Sequence, residues 1–324
     1  MKTLRRKTSM IAGAAAIALT LGACGLGGGD GGGSSTEVEA GSVDPDALKG
    51  VSLAVGSKEF DEQLLLGQLT IQMLKAAGAD VSDKTNIQGS TATRNALTSG
   101  KTDIYWDYNG TGWINYLGHD DPIQDPVEQF EAVKKEDLEK NGLVWGAPAP
   151  FNNTYAFATT TEFAAENNIE THSDMADYVN KNDDATVCVE SEFAGRPDGY
   201  PGFAKAYDMD VKDKTQTLGT GVIYTQVDKG GCDFGEIFTT DGRIAALDLK
   251  PLVDDEAFFP LYNGAVVLRE DTATEFPAIL EVMAPLSATL TTETMAELNS
   301  KVSAEGLRPS KVAEDFLKSE GFIK

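Results

Sequence analysis

IYWDYNGTGW, residues 104–113, carries large aromatic rings up to the end of a predicted strand and past it. Its first half alternates like a strand, and its second half has the small and polar residues of a turn. A strand usually delivers its large rings to a core and then ends in small polar residues. Tyr105, Trp106 and Trp113 are expected to pack in the core or in the wall of a cleft. The ring of Tyr108, at the strand end, requires another explanation.

The segments before this stretch alternate between strand and helix patterns. Apolar residues recur on one stripe of the first predicted helix, and a glycine follows the second. The predicted elements are a strand at 51–55, a polar loop at 56–58, a helix over 61–77, a strand at 85–90, a helix over 94–99 capped by Ser90, and a strand at 102–108. This alternation predicts a parallel sheet in an α/β fold.

Two later segments interrupt the alternation with prolines and turn residues between strand-like runs. They are LVWGAPAPFNNTYAFATT (143–160) and AFFPLYNGAVVLRE (257–270). A second α/β run lies between them, and three helical segments close the chain, the last beginning at Pro309. We interpret the two interruptions as crossings of the chain between two lobes.

The sequence therefore predicts a two-lobed α/β clamshell with two chain crossings at the hinge. The predicted bounds are 46–152 and 262–324 for lobe I and 153–261 for lobe II. Ligands of open α/β sheets bind beyond the carboxyl ends of the strands. The ring of Tyr108 is accordingly expected to face the cleft between the lobes.

The amino terminus has the pattern of a secretory signal. Four positive residues precede a short apolar run, which ends in Leu-Gly-Ala before Cys24. We predict a lipoprotein signal at 1–23, acylation of Cys24, and a Gly/Ser-rich flexible linker over 24–45. The alternative is an ordinary signal cleaved nearby, with Cys24 incidental. The apolar run is too short to span a membrane as a helix.

The charge of the chain is strongly negative, with 51 Asp and Glu against 27 Lys and Arg and a net charge of −24. The predicted signal removes four positive residues and no acid, so the mature chain would carry −28. Such a charge argues against a nucleic-acid partner, which requires a basic surface. It also disfavours contact with an anionic membrane except through the lipid anchor.

Two cysteines, Cys188 and Cys232, remain in an oxidising compartment if the signal is real. Each lies in a strand-like run, and the two runs could be neighbours in one sheet. We predict a disulfide between them. The alternative is a pair of buried free thiols.

The sequence has no recognisable catalytic set. His119 and His172 are far apart, have no metal-ligand spacing, and are expected at the surface. Nucleophile-elbow, phosphate-loop and dinucleotide fingerprints are absent or incomplete. We therefore predict neither an enzyme nor a metal or cofactor site.

Six motifs together resemble the substrate-binding proteins of glycine betaine/choline/carnitine (quaternary ammonium) ABC importers. In order, they are GSKEFDEQ, DYNGT, PAPFNNTYA, EFAGRPDGYPG, FTTDGRI and FFPLY, spanning about residues 50–265. Each motif alone is weak, and their order is specific. The resemblance implies the type II periplasmic-binding-protein fold, which agrees with the two lobes predicted above.

The resemblance implies an aromatic cage for a quaternary ammonium group. Carried over by motif, the cage residues are Tyr108, Tyr155, Phe238 and Tyr262. The family usually has tyrosine where Phe238 stands, and phenylalanine keeps the ring face while losing the hydroxyl. A trimethylammonium group donates no hydrogen bond, and ring faces offer it both negative quadrupole and apolar contact. The alternative for any single ring is core packing.

The resemblance also implies a polar end of the site for a carboxylate. Lys58, Thr111 and Arg196 are its expected partners, Asn153 is expected near the cation, and Gln63 is a weaker candidate. Choline lacks the carboxylate and would leave the two positive side chains without an anionic partner. We therefore expect a betaine to bind better than choline.

The resulting hypothesis is a lipid-anchored binding protein on the outer face of the cytoplasmic membrane. It would capture glycine betaine or a related osmolyte and deliver it to an ABC permease with its ATPase. The nearest alternative is the same scaffold with choline, carnitine or another betaine such as ergothioneine. An enzyme acting on such a compound and a purely structural surface lipoprotein are alternatives of other classes.

Overall fold

Two five-stranded sheets flanked by helices form the body of the protein in the computed structural model, which describes residues 38–324. The predicted signal, Cys24 and most of the predicted linker lie outside the described residues. The described part clusters as one compact unit. None of its helices combines the length and the apolar character required to cross a membrane.

Ten strands belong to the two sheets. They are β1 (Ser52–Lys58), β2 (Asp80–Ile87), β3 (Ile104–Tyr108), β4 (Leu143–Trp145), β5 (Tyr155–Thr160), β6 (Val187–Val189), β7 (Thr215–Thr217), β8 (Phe234–Phe238), β9 (Leu249–Pro251) and β10 (Gly264–Arg269).

Thirteen α-helical segments, some of a single turn, connect and cover the strands of the described chain. They are α1 (Asp61–Ala76), α2 (Ser90–Thr98), α3 (Asn109–Thr111), α4 (Pro126–Asn141), α5 (Thr161–Asn167), α6 (His172–Lys181), α7 (Tyr200–Ala206), α8 (Thr220–Asp228), α9 (Arg243–Ala246), α10 (Glu270–Glu275), α11 (Ala278–Thr289), α12 (Thr292–Ser303) and α13 (Pro309–Ser319).

The two sheets have the same internal plan. The first has the order β2-β1-β3-β10-β4 and the second β7-β6-β8-β5-β9. In each, four strands run in the same direction, and the fifth, β10 or β5, which enters from the other sheet, is antiparallel to both of its neighbours. The predicted α/β architecture with two bodies is thus confirmed, and β1, β2 and β3 pair in parallel as their alternation with helices predicted. The strands β10 and β5 are antiparallel because each returns the chain after a passage between sheets.

The chain passes between the sheets twice, from β4 to β5 and from β9 to β10. These passages coincide with the proline-containing segments of the sequence. We call the residues around the first sheet the first body and those around the second sheet the second body. The finer lobe bounds and a hinge at the passages stay predictions.

Three local predictions near the first sheet are wrong. Residues 56–58 continue strand β1 instead of forming a loop, because Gly56 and Lys58 still pair with β2. Ser90 is the first residue of α2 and caps nothing, since Gly89 precedes the helix. The predicted turn after β3 is helical, with α3 followed by a π-helical segment over Gly112–Tyr116.

Helix α1 is the central helix of the first body. It packs on β1 and β2 with one side and on α11, α12 and α13 with the other. Leu65, Leu66 and Leu69 are fully buried between these layers. Because α1 is enclosed in this way, its first turn is held firmly at the carboxyl end of β1.

Cys188 and Cys232 form a disulfide in the second body. Cys188 lies in β6, Cys232 precedes the parallel neighbour β8, and their Cα atoms are 5.9 Å apart. Both side chains are buried. The bond therefore ties together two neighbouring strands of the second sheet.

Reduction of this disulfide is expected to destabilise the protein by about 2–4 kcal/mol, the usual range for a closed loop of this kind. Denaturant unfolding with and without a thiol reductant measures the loss. A Cys188→Ala/Cys232→Ala variant should match the reduced protein and no longer respond to the reductant. Identical unfolding midpoints for oxidised and reduced protein would contradict a stabilising role.

Candidate functional site

A cavity between the two bodies collects nearly all of the residues predicted to bind ligand. Strand ends bring them there: Lys58 and Tyr108 end β1 and β3, Tyr155 begins β5, and Phe238 ends β8. The predicted residues that line it are Lys58, Tyr108, Thr111, Asn153, Tyr155, Arg196, Phe238 and Tyr262. Gln63 does not line it.

Tyr155 lies at the centre of the aromatic residues of the cavity. Its ring centroid is 5.1 Å from that of Phe238, its register partner across β5 and β8. The ring of Tyr262 stands at 88° to it, with the centroids 5.2 Å apart. Rings at large angles to one another can surround a rounded cation from different sides, and their negative faces are the parts that attract it.

Phe60 is an aromatic residue of this cavity that sequence reasoning missed. It stacks on Phe238 with centroids 5.1 Å apart and lies parallel to Tyr108 at 6.4 Å. It immediately precedes α1, so the helix holds its position. The only signal in the sequence was its place within the motif GSKEFDEQ, between Lys58 and the first helix.

Close packing explains why residue 110, beside the cage, is a glycine. A Cβ atom on Gly110 would lie 2.6 Å from the carbonyl oxygen of Leu261 and 2.8 Å from the Tyr262 ring. Both approaches are shorter than carbon atoms tolerate. Only glycine in α3 lets the return segment bring Tyr262 against the end of β3.

Both positive side chains of the cavity are already paired with carboxylates. Lys58 Nζ donates to Asp107 Oδ1 at 2.8 Å. Arg196 donates to Asp198 through Nε at 2.8 Å and through Nη2 at 2.5 Å, and its Nη1 reaches Glu192 Oε1 at 3.0 Å. The expectation that a betaine binds better than choline was based on two positive side chains without an anionic partner. That basis is wrong, because both charges stay paired when the ligand has no carboxylate.

The paired cations still contact the cage. Lys58 Nζ lies 5.0 Å from the Tyr108 ring centroid, and Arg196 Cζ lies 5.6 Å from that of Tyr155. The hydroxyl of Tyr262 donates to Asp198 Oδ2 at 2.6 Å. The side chains of the polar end therefore contact the rings of the aromatic cage directly.

Polar contacts across the cavity join the two bodies. Arg196 Nη2 reaches Thr111 Oγ1 at 3.4 Å, which places the predicted hydroxyl beside the predicted guanidinium. The backbone N–H of Ser90 donates to Glu192 Oε2 at 2.8 Å. Arg243 of the second body also pairs with Asp61 at the start of α1. The two bodies are therefore in contact on several sides of the cavity.

Gln63 and Asn153 support other site residues. The backbone N–H of Lys58 donates to Gln63 Oε1 at 3.2 Å, and the Gln63 side chain is fully buried. Asn153 lines the cavity, and its Nδ2 donates to Glu62 Oε1 at 2.8 Å. Gln63 thus fixes the end of β1 instead of facing a ligand.

Glu62 is a second residue that sequence reasoning missed. It is buried in the first turn of α1 and accepts a hydrogen bond from the Tyr108 hydroxyl at 2.7 Å. It also lines a larger acidic cavity that adjoins the cage and shares Phe60, Asn153 and Phe238 with it. As for Phe60, the only signal in the sequence was its place within the motif GSKEFDEQ.

Burial sets the protonation state of the cage tyrosines. It raises the pKa of Tyr108, Tyr155 and Tyr262 well above the ordinary value for tyrosine. All three are therefore neutral phenols at physiological pH, and each keeps a hydroxyl hydrogen that it can donate. Burial also raises the pKa of Glu62, while hydrogen bonds from Thr240, Tyr108 and Asn299 act in the opposite direction.

The prediction that both histidines lie at the surface is wrong for His172. Its side chain is fully buried among Phe157, Phe203 and Phe259, and its Nε2 accepts a hydrogen bond from the Phe157 N–H at 3.1 Å. Within residues 38–324, no group of three or more His, Cys, Asp or Glu side chains is placed to hold a metal ion.

Comparison with known families identifies the chain. Residues 51–319 match the model of the substrate binding domain of ABC-type glycine betaine transport systems. The chain belongs to this family. Its members bind solutes for transporters and are not enzymes, and its fold is the type II periplasmic-binding-protein fold.

Individual relatives agree with the family. The chain is 36% identical over 279 residues to a glycine-betaine-binding protein of Pseudomonas aeruginosa, covering 84% of this chain and 89% of the relative. It is 33% identical over 277 residues to the glycine betaine-binding protein YehZ of Escherichia coli, covering 83% and 91%. A crystal structure titled glycine betaine/carnitine/choline ABC transporter matches with a TM-score of 0.69 at 29% identity, covering 83% of this chain and 99% of that one.

Proposed function

We propose that this family member captures glycine betaine, or a closely related quaternary ammonium compound, and delivers it to an ABC importer. The observation that carries the proposal is the convergence of Tyr108, Tyr155, Phe238 and Tyr262 on one cavity, joined by Phe60. The names of the relatives, which refer to glycine betaine, support the same ligand.

The aromatic cage is suited to a cation that cannot donate hydrogen bonds. Each desolvated contact between such a cation and a ring face contributes on the order of 2 kcal/mol. A few such contacts account for most of the roughly 8 kcal/mol of a micromolar complex. Two of the three cage phenols donate their hydroxyl hydrogens to protein acceptors, Tyr108 to Glu62 and Tyr262 to Asp198.

A carboxylate on the ligand would meet the polar end of the cavity. Thr111 and Ser90 lie there, next to Arg196. To bind a carboxylate through its guanidinium, Arg196 would exchange part of its contact with Glu192 or Thr111. Choline is a second candidate, and the observation that favours it is the existing pairing of Lys58 with Asp107 and of Arg196 with Asp198.

The proposed location and partners are those of a binding protein that serves an ABC importer. The protein would act on the outer face of the cytoplasmic membrane, anchored by lipid on Cys24, and would present the bound ligand to a permease driven by an ATPase. Ligand held by both bodies would favour the arrangement in which they are in contact, as a shift of population.

Calorimetric titration of residues 38–324 with glycine betaine, choline and carnitine tests the proposal. We expect a dissociation constant in the micromolar range for at least one of them, with glycine betaine the tightest. Glycine itself, which lacks the methyl groups, is the matched control and should produce no measurable heat. Absence of binding for all three quaternary compounds would contradict the proposed function.

A further inference from the structure

Glu62 occupies an unusual position behind the cage. Its side chain is only 4% exposed, in the first turn of α1. Oxygen Oε1 accepts hydrogen bonds from the Tyr108 hydroxyl at 2.7 Å and from Asn153 Nδ2 at 2.8 Å. Oxygen Oε2 accepts from Thr240 Oγ1 at 2.6 Å and from Asn299 Nδ2 at 2.7 Å. The four donors come from four separate segments of the chain.

This set of donors fits an ionised carboxylate. A carboxylate has about four acceptor positions, and all of them are used here. Asn299 Nδ2 also donates to the carbonyl oxygen of Thr240 at 2.9 Å, which fixes the orientation of this amide, and its NH₂ group cannot accept a proton from a neutral acid. A protonated Glu62 would have to reverse the bond from Tyr108 or Thr240. Burial raises the pKa of Glu62 and opposes the charge, but the arrangement of the four donors favours the ionised form, so the surroundings fit a negative charge.

This charge lacks a positive partner among the described residues. The carboxylates of Asp107 and Asp198 beside the same cavity each form an ion pair, with Lys58 and Arg196 respectively. Within residues 38–324, all four polar partners of Glu62 are neutral groups. Buried charges in proteins are normally paired. The positive charge absent here corresponds to the one that a quaternary ammonium ligand would bring.

Glu62 is also coupled directly to a cage ring. Tyr108 donates its hydroxyl hydrogen to the carboxylate, and the same ring lines the cavity. A phenol that donates to a carboxylate gains electron density, because hydrogen-bonded groups polarise one another. A more electron-rich ring face attracts a cation more strongly. The carboxylate thus acts on a bound cation both through space and through Tyr108.

We infer that Glu62 is the residue that makes this site prefer a cation to a neutral molecule of the same shape. It is a specificity-determining residue that acts through its buried charge and through Tyr108 without contacting the ligand. The inference rests on the proposed function.

Pairs of ligands that differ only in charge at one atom test the inference. In 3,3-dimethylbutan-1-ol a carbon replaces the nitrogen of choline, and in 3,3-dimethylbutanoate a carbon replaces the nitrogen of glycine betaine. The measured quantity is the ratio of affinities within each pair, in the wild-type protein and in Glu62→Gln. A change in the shape or stability of the site alters the affinities for both members of a pair, whereas loss of the Glu62 charge alters the ratio of the two affinities.

We expect the wild-type protein to prefer the cationic member and Glu62→Gln to reduce that preference by about tenfold or more, as removal of one charge in a low-dielectric site implies. The Glu297 side chain is 72% exposed and does not line the cavity, so Glu297→Gln is the matched control and should leave the ratio unchanged. If Glu62→Gln does not fold, E62M/N299L replaces it, because it removes the charge together with one of the amide donors.

The outcomes separate the inference from the proposed function. An unchanged ratio in a folded Glu62 variant, with equal losses for both ligands, would overturn the inference and leave the proposed function standing. A wild-type protein that binds neither choline nor glycine betaine would overturn the proposed function and the inference with it.

Discussion

Replacement of Tyr155 by alanine is expected to weaken glycine betaine binding by about thirtyfold or more. The ring of Tyr155 contacts Phe193, Phe238 and Tyr262, so its loss removes one cation–π partner and also frees its neighbours to move. One desolvated contact contributes about 2 kcal/mol, and each 1.4 kcal/mol is a factor of ten in affinity. Calorimetric titration measures the change.

Tyr155→Phe is the matched control for this prediction. It keeps the ring and removes only the hydroxyl, so its affinity should stay within about fivefold of the wild-type value. Circular dichroism of both variants verifies that the fold is retained. Equal losses for Tyr155→Ala and Tyr155→Phe would show that the hydroxyl, and not the ring face, matters, which would contradict the cage.

The largest effect on stability is expected from Asp137→Ala, in the first body. The Asp137 carboxylate is fully buried and pairs with Arg94, whose side chain is also buried. It further accepts from Trp145 Nε1 at 2.7 Å and from Asn141 Nδ2 at 2.7 Å. Removing one partner of a buried ion pair costs about 3–5 kcal/mol, because the other charge stays buried without compensation. Denaturant unfolding measures this loss.

An exposed ion pair of the same type provides the comparison. Asp177 pairs with Lys181 at 2.7 Å, and both side chains are 71% exposed. Asp177→Ala should change the free energy of unfolding by less than about 1 kcal/mol. Similar losses for the two variants would contradict the importance assigned to burial.

The sequence was informative where a local pattern determines the structure. The alternation of strands and helices predicted the α/β architecture, and Pro309 correctly marked the start of α13. The passages between the sheets coincide with the proline-containing segments. The order of six motifs led to Tyr108 and Tyr155, which the structure brings into one cavity.

The sequence was not informative where the structure depends on distant partners. Lys58 was expected to bind the carboxylate of a ligand, yet Asp107, 49 residues further along the chain, already pairs with it. No local pattern marks such pairing, because Asp107 is brought to Lys58 by the neighbouring strands β1 and β3. The burial of His172 likewise depends on aromatic residues from several segments of the second body.

The two residues that were missed illustrate the same limit. Glu62 is one acid among 51 in the sequence, and only the fold reveals that its four donors converge on it. Phe60 is one of 14 phenylalanines, and its place in the cavity depends on where α1 begins. Both residues belong to the motif that first indicated the family, although neither was assigned a role from it.

A crystal structure of residues 38–324 with glycine betaine tests the central claim most directly. The account predicts the trimethylammonium group within about 6 Å of the ring centroids of Tyr108, Tyr155 and Tyr262. The ligand carboxylate should point toward Arg196 and Thr111. Glycine betaine bound away from these rings, for example in the separate groove beside Ile114 and Phe258, would contradict it.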